Sequence, residues 1–66
     1  MPEGTIRKLF TERGFGFVEG ERGYYWFFHQ SALEGATIDS LRIGQAVEYK
    51  EGCGPTGPRA DNVRPA

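Results

Sequence analysis

Apolar and aromatic residues fall in five short runs separated by glycine-bearing breaks. Thr5 to Thr11 holds Ile6, Leu9 and Phe10 around the polar pair Arg7-Lys8, and this imperfect alternation predicts a strand with a bulge or a strong bend. Phe15 to Glu19 predicts a second strand and Tyr24 to His29 a third. An unbroken row of Tyr, Trp and Phe suits a strand and disfavours a helix interior. Glu12-Arg13-Gly14 and Gly20-Glu21-Arg22-Gly23 supply the turns between them, with glycine free to take positive φ. Gln45 to Glu51 alternates as a fourth strand, and Pro58 to Arg64 makes a fifth that Pro58 begins rather than interrupts. Ser31-Ala32-Leu33 predicts a single helical turn. Residues 34–44 read as a long surface loop tied down by Leu33, Leu41 and one of Ile38 and Ile43, and residues 52–57 as a flexible turn. No segment has the length and period of an ordinary helix.

Five short strands with one long connection predict an all-β domain, closed into a five-stranded antiparallel Greek-key barrel. A flat sheet would leave half of the aromatics without a second layer. At 66 residues the chain forms one domain over residues 1–66, its core within about 4–64. A chain this short buries only about 60% of its unfolded surface. Cys53 stands alone, so no disulfide framework supports the fold, and its Gly52-Cys53-Gly54 setting reads as an exposed spectator thiol.

Alternate residues of a strand share a face. Phe15 and Phe17 therefore lie together, and Tyr25, Phe27 and His29 lie together on the next strand. Pairing of the two strands would join these rings into one platform, with Arg7, Lys8 and Arg13 close by. Exposed aromatic surface of this extent marks a binding site. Single-stranded nucleic acid is the expected partner, because each base offers a π-face and each phosphate a charge. The opposite set, Gly14, Gly16, Val18, Trp26 and Phe28, must then face the core. Parity points Trp26 into the barrel, where it is large for so small a core. The alternative is a position across one end of the barrel, with its indole N–H in water.

Charge tempers this picture. Eight Lys and Arg stand against nine Asp and Glu, a net charge of −1 where a nucleic-acid binder is usually basic. Affinity is therefore expected to lean on stacking more than on phosphate contacts. Arg22 and Arg59 are weaker candidates for such contacts than the three cations beside the platform. One histidine and unpartnered carboxylates give no triad, no ligand cluster and no phosphate-cradling loop, so neither an enzyme nor a metal or other cofactor is expected. No apolar run approaches the roughly 20 residues of a membrane span. Met1-Pro2-Glu3-Gly4 lacks the pattern of a signal peptide, and a cytoplasmic protein is expected.

Arg13-Gly14-Phe15-Gly16-Phe17-Val18 resembles the first RNA-binding motif of the bacterial cold-shock proteins, Lys-Gly-Phe-Gly-Phe-Ile, and Phe27-Phe28-His29 resembles the second, Val-Phe-Val-His. The resemblance runs from Gly4 to Val63 and takes in Ser31-Ala32-Leu33, Leu41, Gly44-Gln45, Val47, Gly57-Pro58 and Asn62-Val63. It implies an OB-fold barrel that binds single-stranded RNA and DNA with low sequence specificity, melts weak RNA structure and aids translation. On this reading the site comprises Arg7, Lys8, Arg13, Phe15, Phe17, Tyr25, Phe27, His29, Gln30 and Pro58. The departures are specific. Members of that family commonly carry Trp in place of Lys8, Phe in place of Gln30, and a loop aromatic in place of Ile38. Tyr25 replaces an acidic residue and Trp26 a small aliphatic.

A monomer is expected, with a strand-exchanged dimer as the alternative. A second reading keeps the barrel and gives its aromatic face to a protein partner or to a second copy, since aromatic-rich patches are also how protein hot spots look. The RNA-recognition motif, which the 13–18 segment also resembles, is set aside because Gly20 stands where it has an aromatic and its two helices are missing.

Overall fold

The computed structural model describes residues 2–55 and 57–66. Strand β1 (Glu3–Phe10) opens the chain and is shared between two neighbours. Its first residues pair with β4 (Ala46–Gly54) through Glu3↔Glu48, Gly4↔Val47 and Thr5↔Ala46. The remainder pairs with β2 (Phe15–Glu19), from Thr5↔Glu19 to Phe10↔Phe15. Strand β3 (Tyr25–His29) lies antiparallel to β2, and β5 (Gly57–Pro65) lies antiparallel to β4 in a long hairpin. Closure comes from a parallel pair, Phe27↔Arg59, joining β3 to β5 in the order β1-β2-β3-β5-β4. The expected antiparallel barrel is therefore present, with this one parallel seam.

The bulge foreseen in β1 falls between Ile6 and Lys8. It leaves Ile6 opposite Val18 inside the barrel and sets Lys8 opposite Phe17 outside it. Ile6, Val18, Phe28, Val47, Ala60 and Val63 are completely buried and Tyr49 nearly so. Gly16 is glycine for want of space: a Cβ there would stand 2.6 Å from the Lys8 carbonyl oxygen and 2.8 Å from the Phe28 ring. The Phe28 ring thus packs directly on the β2 backbone.

Among the described residues, three short 3₁₀ turns join the strands, at Glu21–Gly23, Gln30–Ala32 and Ile38–Ser40. The last lies inside the predicted surface loop. Thr37 N–H donates to Ser40 Oγ at 3.2 Å, and that hydroxyl donates back to the Thr37 carbonyl at 2.8 Å. This turn drives Ile38 and Leu41 into the core, only 6% and 5% exposed, whereas Ile43 stays 59% exposed. Ile38 is therefore a core residue and does not offer a surface in place of a loop aromatic. A second correction concerns the 52–57 stretch. Gly52, Cys53 and Gly54 are strand residues paired with Arg59, Pro58 and Gly57, because β4 and β5 zip almost to the hairpin tip. Thr56, assigned to that turn, lies outside the described residues. No helix among the described residues is long and apolar enough to cross a membrane.

Candidate nucleic-acid interface

The registers of β1, β2 and β3 arrange the outer face of the barrel in three cross-strand rows. Phe10, Phe15 and His29 form one, Lys8, Phe17 and Phe27 the next, and Thr5, Glu19 and Tyr25 the third. The parallel seam extends the middle row to Arg59 on β5. Cross-strand partners share a face, so the platform expected from alternation is present as a grid.

Four phenylalanines fill its centre. Phe10 and Phe15 stack with centroids 4.9 Å apart and planes 26° apart, and Phe15 and Phe27 approach to 5.4 Å at 36°. Phe17 stands edge-on to all three, at 6.5 Å from Phe10, 6.2 Å from Phe15 and 5.8 Å from Phe27. These offset and edge-to-face geometries are the ones aromatic quadrupoles favour. Each ring supports its neighbours and keeps part of its own surface open. Phe10 was not among the sequence candidates, yet it is 41% exposed at the end of this array.

His29 sits at the corner of the grid. Ser31 N–H donates to its Nδ1 at 3.2 Å, and the Ser31 hydroxyl lies 3.0 Å from the same nitrogen. In the neutral ring this puts the proton on Nε2, which is left as a donor. Gln30 follows directly. Its backbone N–H donates to the Gly14 carbonyl at 2.7 Å and its side chain covers Gly14, where a Cβ would meet the Gln30 amide at 2.9 Å. Tyr25 is 47% exposed at the other end of β3.

The charged candidates divide into two groups. Lys8 and Arg13 are exposed and make no ion pair among the described residues. Arg7, displaced by the bulge, instead donates through Nε to Glu19 Oε1 at 2.6 Å. Its charge is compensated on the platform itself. Arg59 ranked low by sequence, but the seam sets it beside Phe27, with its Nε 3.4 Å from Asp61 Oδ1. Only the topology reveals this neighbour, because Phe27 and Arg59 are far apart in the chain.

Pro58 does not join the rows. It lines a separate cleft of about 440 Å³ with Trp26, Glu51 to Gly54 and Gly57. Trp26 faces away from Phe27, as alternation requires, and its ring packs on Tyr49 at 5.7 Å. Of the two settings open to Trp26 the wet one is not found: Nε1 is buried and has no hydrogen-bond partner of good geometry. Tyr49 is its neighbour there, since a Cβ on Gly20 would meet both the Tyr49 hydroxyl and Trp26 Nε1.

The molecule is a small closed five-stranded barrel with a partly open aromatic grid on three adjacent strands. The 'Cold-shock' DNA-binding domain model matches residues 2–66. The chain is 42% identical over 65 residues to cold shock protein 2 of Lactiplantibacillus plantarum, covering 98% of each chain. It is 43% identical over 63 residues both to cold shock-like protein CspLB of Listeria monocytogenes and to cold shock protein CspA of Staphylococcus aureus, covering 96% of each chain. The chain belongs to the cold-shock domain family.

Proposed function

We propose that this protein binds single-stranded RNA and DNA with little sequence preference, by stacking bases on the Phe15, Phe17 and Phe27 rings. Lys8 and Arg13 take phosphates and His29 Nε2 offers a hydrogen bond. The observation that carries this reading is the contiguous, partly open array of phenylalanine rings on β1, β2 and β3. Rings of this kind accept any base, because every base has a π-face, and each stacked base contributes about 1–3 kcal/mol. Family membership supports a nucleic-acid partner. Such a protein acts as a passive RNA chaperone. It captures bases exposed when a weak hairpin opens and shifts the equilibrium toward the open strand.

Titration of a labelled oligothymidylate, followed by anisotropy at two salt concentrations, tests the proposal. Saturable binding of the single strand, poor binding of a duplex, and loss of affinity on combining F17A with F27A are expected. Unchanged affinity in that double variant would remove the stacking role. The compensation of Arg7 by Glu19 favours one rival, in which the same face takes a protein or a second copy. Salt separates the two. Contacts to Z phosphates of a single strand give a log–log slope near −0.7Z, whereas an apolar protein contact gives little dependence.

A further inference from the structure

The end of β1 holds an exposed ring and a cation that sequence and family resemblance leave without a joint role. Phe10 stacks on Phe15 at 4.9 Å and is 41% exposed. Its position is fixed by the turn that follows, since the Phe10 carbonyl accepts from Arg13 N–H at 3.0 Å and Gly14 N–H at 2.9 Å. Gly14 completes that turn at φ +77, a conformation that glycine adopts without strain. The turn is fastened in turn by the Gln30 N–H on the Gly14 carbonyl. Outside the ring lies a cleft of about 260 Å³ lined by Leu9, Phe10, Thr11, Glu12 and Arg13. It thus combines an aromatic wall with a guanidinium that has no ion-pair partner among the described residues.

We propose that Phe10 and Arg13 form a further nucleotide subsite, extending the platform by one unit beyond Phe15. The base lies on Phe10 at the mouth of the cleft, and Arg13 holds the adjacent phosphate. Three arguments converge on this occupant. The ring stacks on Phe15, which in turn lies against Phe27, so the aromatic array runs unbroken from β3 to the end of β1. A ring and a cation on a rigid turn match the two parts of a nucleotide. Finally, the opening is too small for a folded partner yet is contiguous with the face proposed to bind a strand. The subsite rests on the single-strand reading above and deepens it.

The test is a length series of oligothymidylates, from trimer to octamer, titrated against the wild-type protein and the F10A, F10L, R13Q and F17A variants. Wild-type affinity rises with length until every subsite is filled. F10A lowers affinity for the long oligomers by about fivefold to a hundredfold while leaving the shortest unchanged. F10L, which keeps an apolar cover on Phe15 but offers no π-face, shows the same loss. R13Q flattens the salt dependence, and does so more for the long oligomers than for the shortest. Full affinity in F10L would reduce Phe10 to a packing support and overturn the subsite, as would F10A binding every length like the wild type. If F17A is weakened while F10A is not, only the subsite falls. If the wild type binds no single strand, the subsite and the proposed function fall together.

Discussion

Arg7 and Glu19 face each other across the β1–β2 pair, Nε to Oε1 at 2.6 Å, because the bulge turns Arg7 onto the outer face where Glu19 ends its strand. The pair is largely exposed, so it contributes at most about 1 kcal/mol to the fold. Its larger effect is to cancel one positive charge on the side where a phosphate chain would run. Substituting Glu19→Gln frees that charge. The expected result is a severalfold tighter complex with single strands at low salt and a log–log salt slope steeper by about 0.7. Thermal unfolding should change by only a few degrees. An unaltered slope would place the strand away from Arg7.

Packing of Tyr49 against Trp26 depends on Gly20. Its backbone is extended, with φ −91 and ψ −163, so alanine is conformationally acceptable there. Space is not available. A Cβ would collide with the Tyr49 hydroxyl and stand 2.9 Å from Trp26 Nε1. Gly20→Ala is expected to cost about 1–3 kcal/mol, the usual range for overpacking. Combining it with Tyr49→Phe removes the colliding oxygen and should restore part of the loss. A double-mutant cycle on denaturant unfolding measures this coupling. Strictly additive effects would mean that the barrel end rearranges freely around the added methyl.

The strands β2 and β3 and the outward face of Phe15, Phe17 and Phe27 were legible because strict alternation over these residues admits only two faces, and two glycines mark the inner one. Phe10 was not, and the reason is physical. Unbroken alternation from the buried Ile6 would send Lys8 and Phe10 inward. The bulge at Arg7 inverts this parity, so Leu9 packs against the core and Phe10 turns out. The signal was available in the spacing of Ile6 and Leu9, two apolar residues three apart, which share a strand face only across a bulge. Arg59 beside Phe27 and Ile38 in the core follow instead from long-range closure, which no local pattern carries.

Tyr49 gives the fold an alkaline limit. Burial pushes its phenol above the ordinary value of 10.0, reinforced by the negative charges of Glu51 and Glu21, while the Glu21 backbone and the Trp26 indole oppose the shift. The folded state then holds this proton more tightly than the unfolded chain. Its stabilising contribution is complete below the unfolded value near 10 and is lost as pH rises through the folded value. Denaturant midpoints measured upward from neutrality should fall above about pH 10 in the wild type. The Tyr49→Phe variant should fall less steeply over the same range. Equal slopes in the two proteins would assign the alkaline loss to other groups.

Lys8 offers the opposite test of how affinity divides between stacking and charge. It stands opposite Phe17, on the same face as Phe10 and open to solvent. Replacing it with tryptophan adds a ring to the middle row and removes a cation from it. Stacking is insensitive to salt, with one added base contact supplying about 1–3 kcal/mol. The lost phosphate contact weakens binding most where salt is low. Lys8→Trp should therefore bind oligothymidylate more tightly than the wild type at high salt, with the advantage shrinking as salt is reduced and the slope becoming shallower by about 0.7. Anisotropy across a salt series reads both quantities at once. If affinity fell at every salt concentration, Lys8 would be contributing more than a screened phosphate contact, and stacking could not be the dominant source of affinity on this row.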